Sequence, residues 1–158
     1  MRKIITFLLI LFVFQGTVLF AEEVRIGTTF SPLQCEYFGM DWKKAYLAIL
    51  DEGFDIIRVS AYWDEIEKEE GVYDFTVLDW QVEQARKKGV PVVLAVGIKV
   101  PRWPEYHIPD WLEEQMRFGI GAKISNNRLL REKTFQFIEK TVLRYKAVSY
   151  THLTLPTN

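Results

Sequence analysis

Between Val24 and Tyr145 the apolar residues change period repeatedly, from strand-like runs to stripes spaced by three and four. The run Val24 to Phe30 predicts a strand. After a loop, Trp42, Ala45, Tyr46, Ile49 and Leu50 fall at i, i+3, i+4, i+7 and i+8, which predicts a helix from Asp41 that Gly53 ends. Asp55 to Trp63 predicts a second strand, with Ile57, Val59 and Ala61 on one face and Ile56, Arg58 and Ser60 on the other. The helix behind it runs from Val77 to Lys88, with Thr76 and Asp79 spaced as a capping box and Gly89 as the stop. Val90 to Ile98 predicts a third strand. Arg128 to Tyr145 predicts a third helix with Leu130, Phe137, Ile138, Thr141, Val142 and Tyr145 on one face.

Strands that alternate with amphipathic helices imply an α/β fold with a parallel sheet, either open and doubly wound or closed as a barrel. Two features favour the barrel. No glycine-rich phosphate turn follows the first strand, and the loops leaving strand C-termini are long and aromatic whereas those entering strands are as short as "EGF" and "KKG". A (β/α)8 TIM barrel needs eight such units and about 250 residues. The chain is therefore expected to supply the first three βα units of one.

Both ends read differently from this middle. Arg2 and Lys3 precede an apolar block, Ile4 to Phe14, then Gln15, Gly16 and Thr17, with Ala21 before Glu22. That order predicts a secretory signal peptide over residues 1–21. Ile4 to Ala21 is also long enough for an uncleaved anchor, and Leu19 is not the small residue a cleavage site favours. Either way the remainder is expected to be exported, to the periplasm, the cell surface or the medium. At the other end, "VSYTHLTLPTN" carries no charge and does not continue the charged helix before it. The bases GTC TCT TAT ACA CAT CT, which resemble a transposase-end adapter used in preparing sequencing libraries, translate as Val148 to Leu153. Residues 148–158 are accordingly read as non-native, the alternative being an irregular C-terminal tail, which leaves residues 22–147 as one partial domain.

Composition narrows the chemistry. Between Glu22 and Ala147 acids slightly outnumber bases and no basic stripe forms, which argues against nucleic acid as a partner. Cys35 is the only cysteine and His107 the only histidine of that segment, so neither a disulfide framework nor a histidine-rich metal centre is expected, and no cofactor motif is present. Cys35 reads as a small buried hydrophobe rather than a nucleophile.

Candidate binding residues cluster after the strands. Arg58 sits mid-strand among apolar neighbours and must be paired, either with an active-site carboxylate or in a structural ion pair. Tyr62 and Trp63 end the same strand, where a barrel places its groove or packs its core. The acids that follow, Asp64, Glu65, Glu67, Glu69 and Glu70, read as a solvated face rather than a catalytic pair. After the third strand, "VPRWPEYHIPDWL" makes a proline-stiffened loop in which Lys99, Arg102, Glu105 and His107 alternate with Trp103, Tyr106 and Trp111. Flat aromatic faces beside polar groups suit sugars, and equally suit a lid over the core. Gln34, Glu36 and Tyr37 of the first loop are weaker candidates for the same groove.

The run "GFDIIRVSAYWDEIEKEEGVYDFTVLDWQVEQARKKGVPVVLAVG" resembles the second and third units of clan A glycoside hydrolases, the cellulase and β-galactosidase type barrels. "KVPRWPEYHIPDWL" is similar to the third-strand loop of a cellulase-like branch of that clan. The resemblance spans Arg25 to Tyr145. It implies a retaining two-glutamate mechanism on β-linked glycans, with Arg58 hydrogen-bonded to the nucleophile and Trp63, Lys99, Trp103 and His107 lining sugar subsites. The clan's acid/base glutamate ends strand four and its nucleophile ends strand seven. Both are expected beyond Ala147, so this chain by itself is expected to be inactive. A non-catalytic carbohydrate-binding relative and a small exported α/β binding domain are the alternatives.

Overall fold

The computed structural model describes residues 24–100, 105–116 and 127–146. The signal or anchor segment and the stretch 148–158 lie outside them. In chain order the elements are β1 (Gly27–Thr29), α1 (Pro32–Tyr37), α2 (Trp42–Asp51), β2 (Ile56–Ala61), α3 (Trp63–Ile66), α4 (Thr76–Lys87), β3 (Val92–Val96), α5 (Asp110–Gln115) and α6 (Arg128–Tyr145). The strands are parallel in the order β1-β2-β3, so the described residues form an α/β fold that is an open, unclosed part of a (β/α)8 barrel.

Local chemistry sets the element boundaries. Asp41 caps α2 by accepting from the amides of Lys43 and Lys44 at 3.0 and 3.1 Å. Gly53 closes that helix at φ 81°, a left-handed conformation that costs glycine little. The long strand expected over Val24 to Phe30 pairs only over Gly27–Thr29. At Gly27 the two strands approach so closely that a Cβ would lie 2.4 Å from Cγ2 of Ile56.

Three short helices interrupt what the sequence suggested were loops or strand ends. Ser31 Oγ accepts from the Gln34 amide at 3.2 Å, and Pro32 opens α1 at a position where its missing N–H costs nothing. α3 begins directly after β2, and Pro109 precedes α5.

Ile57, Val59 and Ala61 of β2 and Val92, Leu94 and Val96 of β3 share one core with Tyr46, Leu50, Leu78, Val82, Ala85 and Phe137 of the helices. Ile57, Val59 and Ala61 are the residues the alternation in β2 places together on one face. The expected box between Thr76 and Asp79 does not form. Asp74 instead accepts from the Thr76 amide at 2.9 Å, while Asp79 accepts from Arg144 Nε at 2.8 Å, from a second guanidinium nitrogen, and from the Tyr145 hydroxyl at 2.7 Å. Asp79 thereby ties α4 to the end of α6.

Candidate functional site

Each strand hands its next residues to the same end of the sheet, the C-terminal end. Tyr62, immediately after β2, donates its hydroxyl hydrogen bond to Ser31 Oγ, just beyond β1, at 2.7 Å. Its ring packs edge-on against His107, with centroids 4.5 Å apart. The loop after β3 folds back so that the His107 amide donates to the Ile98 carbonyl at 2.9 Å. His107 is buried, and its Nδ1 lies 3.0 and 3.1 Å from the two carboxylate oxygens of Asp64. A carboxylate only accepts, so Nδ1 carries the proton and donates. Ser31, Tyr62, His107 and Asp64 thus form one connected chain across three βα units.

The remaining candidates divide. Lys99 is half-buried, with its ammonium 4.9 Å from the centre of the Tyr106 ring, a cation–π contact. Glu105 is half-buried beside it in sequence. Arg58 is half-buried in mid-strand and lines a cavity of about 390 Å3 beside β1 together with Thr29, Ser31, Gln34 and Cys35. Burial, and then the charge of Glu36, push the Cys35 thiol up. Arg102 and Trp103 lie outside the described residues.

Trp63 does not join the cluster. Its side chain is 0% exposed and stacks on Phe137 with centroids 5.3 Å apart and planes 13° from parallel. Alternation puts Trp63 in phase with Ile57, Val59 and Ala61, whose face packs on the helices, while Tyr62, one residue earlier, belongs to the opposite face. Of the two residues considered together, only Tyr62 meets His107.

The acidic loop also resolves residue by residue. Glu67 is buried, accepting from Trp63 Nε1 at 2.6 Å and from the Gly71 amide at 2.8 Å, while its carbonyl accepts from Trp111 Nε1 at 2.8 Å. Burial, then the charge of Glu67, push the Tyr73 hydroxyl up to about 12. Glu65 pairs with Lys68 and Glu70 with Lys133 on the surface. Trp111 therefore anchors the proline-rich loop to the acidic turn. Among the described residues no group of three His, Cys, Asp or Glu side chains is placed to hold a metal ion, and no helix is long and apolar enough to cross a membrane. The contacts of Ser31 with Tyr62 and of Asp64 with His107 carry no local sequence signal, because the partners lie in other units, and Glu67 meets Trp63 only across the turn of α3.

The family pattern described as Beta-galactosidase matches residues 32–153. The chain belongs to this family, glycoside hydrolase family 42. The match ends inside the stretch 148–158. Beta-galactosidase Bga of Halorubrum lacusprofundi is 25% identical over 131 residues, 77% of this chain and 18% of the relative. Beta-galactosidase BgaA of Clostridium cellulovorans is 27% identical over 131 residues, 77% of this chain and 19% of the relative. The chain thus spans about a fifth of the length of these relatives. Among solved structures, the beta-galactosidase of Rahnella sp. R3 superposes with a TM-score of 0.64 at 16% identity, over 87% of this chain and 22% of the other. GH5_18 from Streptomyces cattleya, in complex with GlcNAc, gives 0.62 at 15% identity, over 83% and 33%. The described residues of this family 42 member thus resemble the clan A glycoside hydrolase fold and cover only part of the larger barrels they match.

Proposed function

We propose that this chain is the N-terminal portion of an exported retaining glycosidase that cleaves β-linked galactosides or related glycans. The observation that carries the reading is the convergence of Ser31, Tyr62, Asp64 and His107, beside Lys99 and Tyr106, at the C-terminal end of three parallel strands in a chain of the beta-galactosidase family. Barrel enzymes place their chemistry at that end. Tyr62, Lys99, Arg102, Trp103, Glu105 and His107 serve sugar binding, and Arg58 orients the nucleophile by charge-assisted hydrogen bonding. Trp63, enclosed in the core, supports the site from behind.

The catalytic glutamates belong to later strands. One protonates the leaving oxygen while the other attacks the anomeric carbon to form a glycosyl-enzyme. Water, deprotonated by the first, then releases the sugar with its configuration retained. The chain as given is inactive on this reading. The test is proton NMR of nitrophenyl β-D-galactoside hydrolysis by the protein continued through its downstream strands. The β anomer of galactose is expected to form first, and initial release of the α anomer contradicts the mechanism.

A further inference from the structure

The acidic turn after β2 meets the loop after β3 at regular intervals. His107 Nδ1 donates to Asp64 at 3.0 Å, Trp111 Nε1 donates to the Glu67 carbonyl at 2.8 Å, and Gln115 Nε2 makes a longer contact, 3.4 Å, with the Glu70 carboxylate. Successive contacts are three residues apart on the turn and four apart on the loop. Between the first two, Ile108 is buried and Pro109 fixes the backbone at φ −59° ahead of α5, so a displacement of Trp111 is carried to His107 rather than absorbed. Lys133 of α6 braces the far side, bonded to Glu70 and with its ammonium 5.9 Å from the centre of the Trp111 ring.

The middle contact is made by main chain whose place is set by its own side chain. The Glu67 residue is 3% exposed, and its two carboxylate oxygens accept from Trp63 Nε1 at 2.6 Å and from the Gly71 amide at 2.8 Å. A buried carboxylate is costly without such donors, so these bonds persist and fix the turn between a core indole and a glycine at φ 80°. The direction of the Glu67 carbonyl follows. We propose that Glu67 is a positioning residue for the sugar-binding loop. Its carboxylate holds the turn, its carbonyl holds Trp111, and Trp111 sets the place of His107 against Asp64. The sugar-binding role of that loop rests on the function proposed above, whereas the clamp stands on these contacts alone.

The test is nitrogen-15 NMR of the full chain and two variants in mildly alkaline solution. Glu67→Gln keeps the size of the side chain but turns an NH2 group toward one of the two donors, and Trp111→Phe keeps a ring but removes the N–H. In the unaltered chain the neutral His107 ring is expected to carry its proton on Nδ1, whereas a ring released into water favours Nε2. Each variant is expected to move the ring toward the Nε2–H form. Exchange of the His107 amide should rise roughly fivefold more than that of the β2 and β3 amides, the equivalent of one hydrogen bond. A ring that stays in the Nδ1–H form, or exchange that rises equally in the loop and both strands, would overturn the proposal; if Glu67→Gln does not fold, Trp111→Phe decides. In the protein continued through its downstream strands, Trp111→Phe should raise KM for nitrophenyl β-D-galactoside several-fold and leave kcat within about twofold, because binding rather than chemistry is loosened. A fall in kcat at unchanged KM would contradict the positioning role. Unaltered protein that hydrolyses nothing would count against the proposed function, while the tautomer and the exchange rates still decide the clamp.

Discussion

Replacing Trp63 by alanine is expected to lower the unfolding free energy by about 3 to 5 kcal/mol, the range for deleting a large aromatic from a packed core. Three losses combine at this position. The indole has no exposed surface, it stacks on Phe137 of α6, and its N–H is a partner of the buried Glu67 carboxylate. Removing it leaves a cavity behind β2 and strips one partner from a carboxylate that still holds the Gly71 amide. Trp63→Phe separates these effects: it keeps most of the stacking and loses only the N–H, so its cost should be about 1 to 3 kcal/mol. Urea unfolding followed by circular dichroism measures both. A loss below about 1 kcal/mol for Trp63→Ala would mean that the ring does not belong to the core.

Asp79→Asn is expected to cost about 1 to 2 kcal/mol at neutral pH, less than a fully buried ion pair because the Asp79 and Arg144 side chains are 39% and 48% exposed. Hydrogen bonding from Arg144, assisted by the Tyr145 hydroxyl and the guanidinium charge, holds the Asp79 carboxyl below its ordinary range. A carboxyl lowered in the folded chain stabilises it fully above the unfolded value of about 3.9, and that contribution disappears as pH falls through the lowered folded value. The difference between wild type and variant should therefore be constant from pH 7 down to about 5 and shrink at more acid pH. Urea titrations at fixed pH steps report it. A difference that persists undiminished at pH 2 would show that Asp79 acts by packing rather than by charge.

The long elements were legible because their apolar spacing is regular: α2, α4 and α6 fall within a residue or two of their expected limits. The division of β2 into two faces is legible for the same reason, whereas the burial of Ser60 on the second face is not. The short helices have too few residues to show a period, although Ser31 followed by Pro32 is a start signal for α1. The strand pattern Asp55 to Trp63 runs through both Tyr62 and Trp63 and so groups them at one strand end. Adjacent residues cannot share a face of a strand, and the turn into α3 separates them further. Asp79 looked like a local cap because its partners, Arg144 and Tyr145, are more than sixty residues away. The Asp64–His107 pair arises from strand register and loop return, which no local pattern encodes. His107, Tyr62 and Lys99 were found as candidates from composition and position alone, since polar groups among aromatics at strand ends are what a barrel's working end requires.

The most direct measurement is to amplify and sequence the source DNA across the codon for Ala147, priming from well downstream rather than from a library adapter. The reading frame is expected to leave the codons for residues 148–158 and continue into a fourth strand ending in Asn-Glu. A genomic sequence that encodes "VSYTHLTLPTN" followed by a stop would contradict the enzyme reading, because no later strands would then carry the catalytic glutamates or close the barrel.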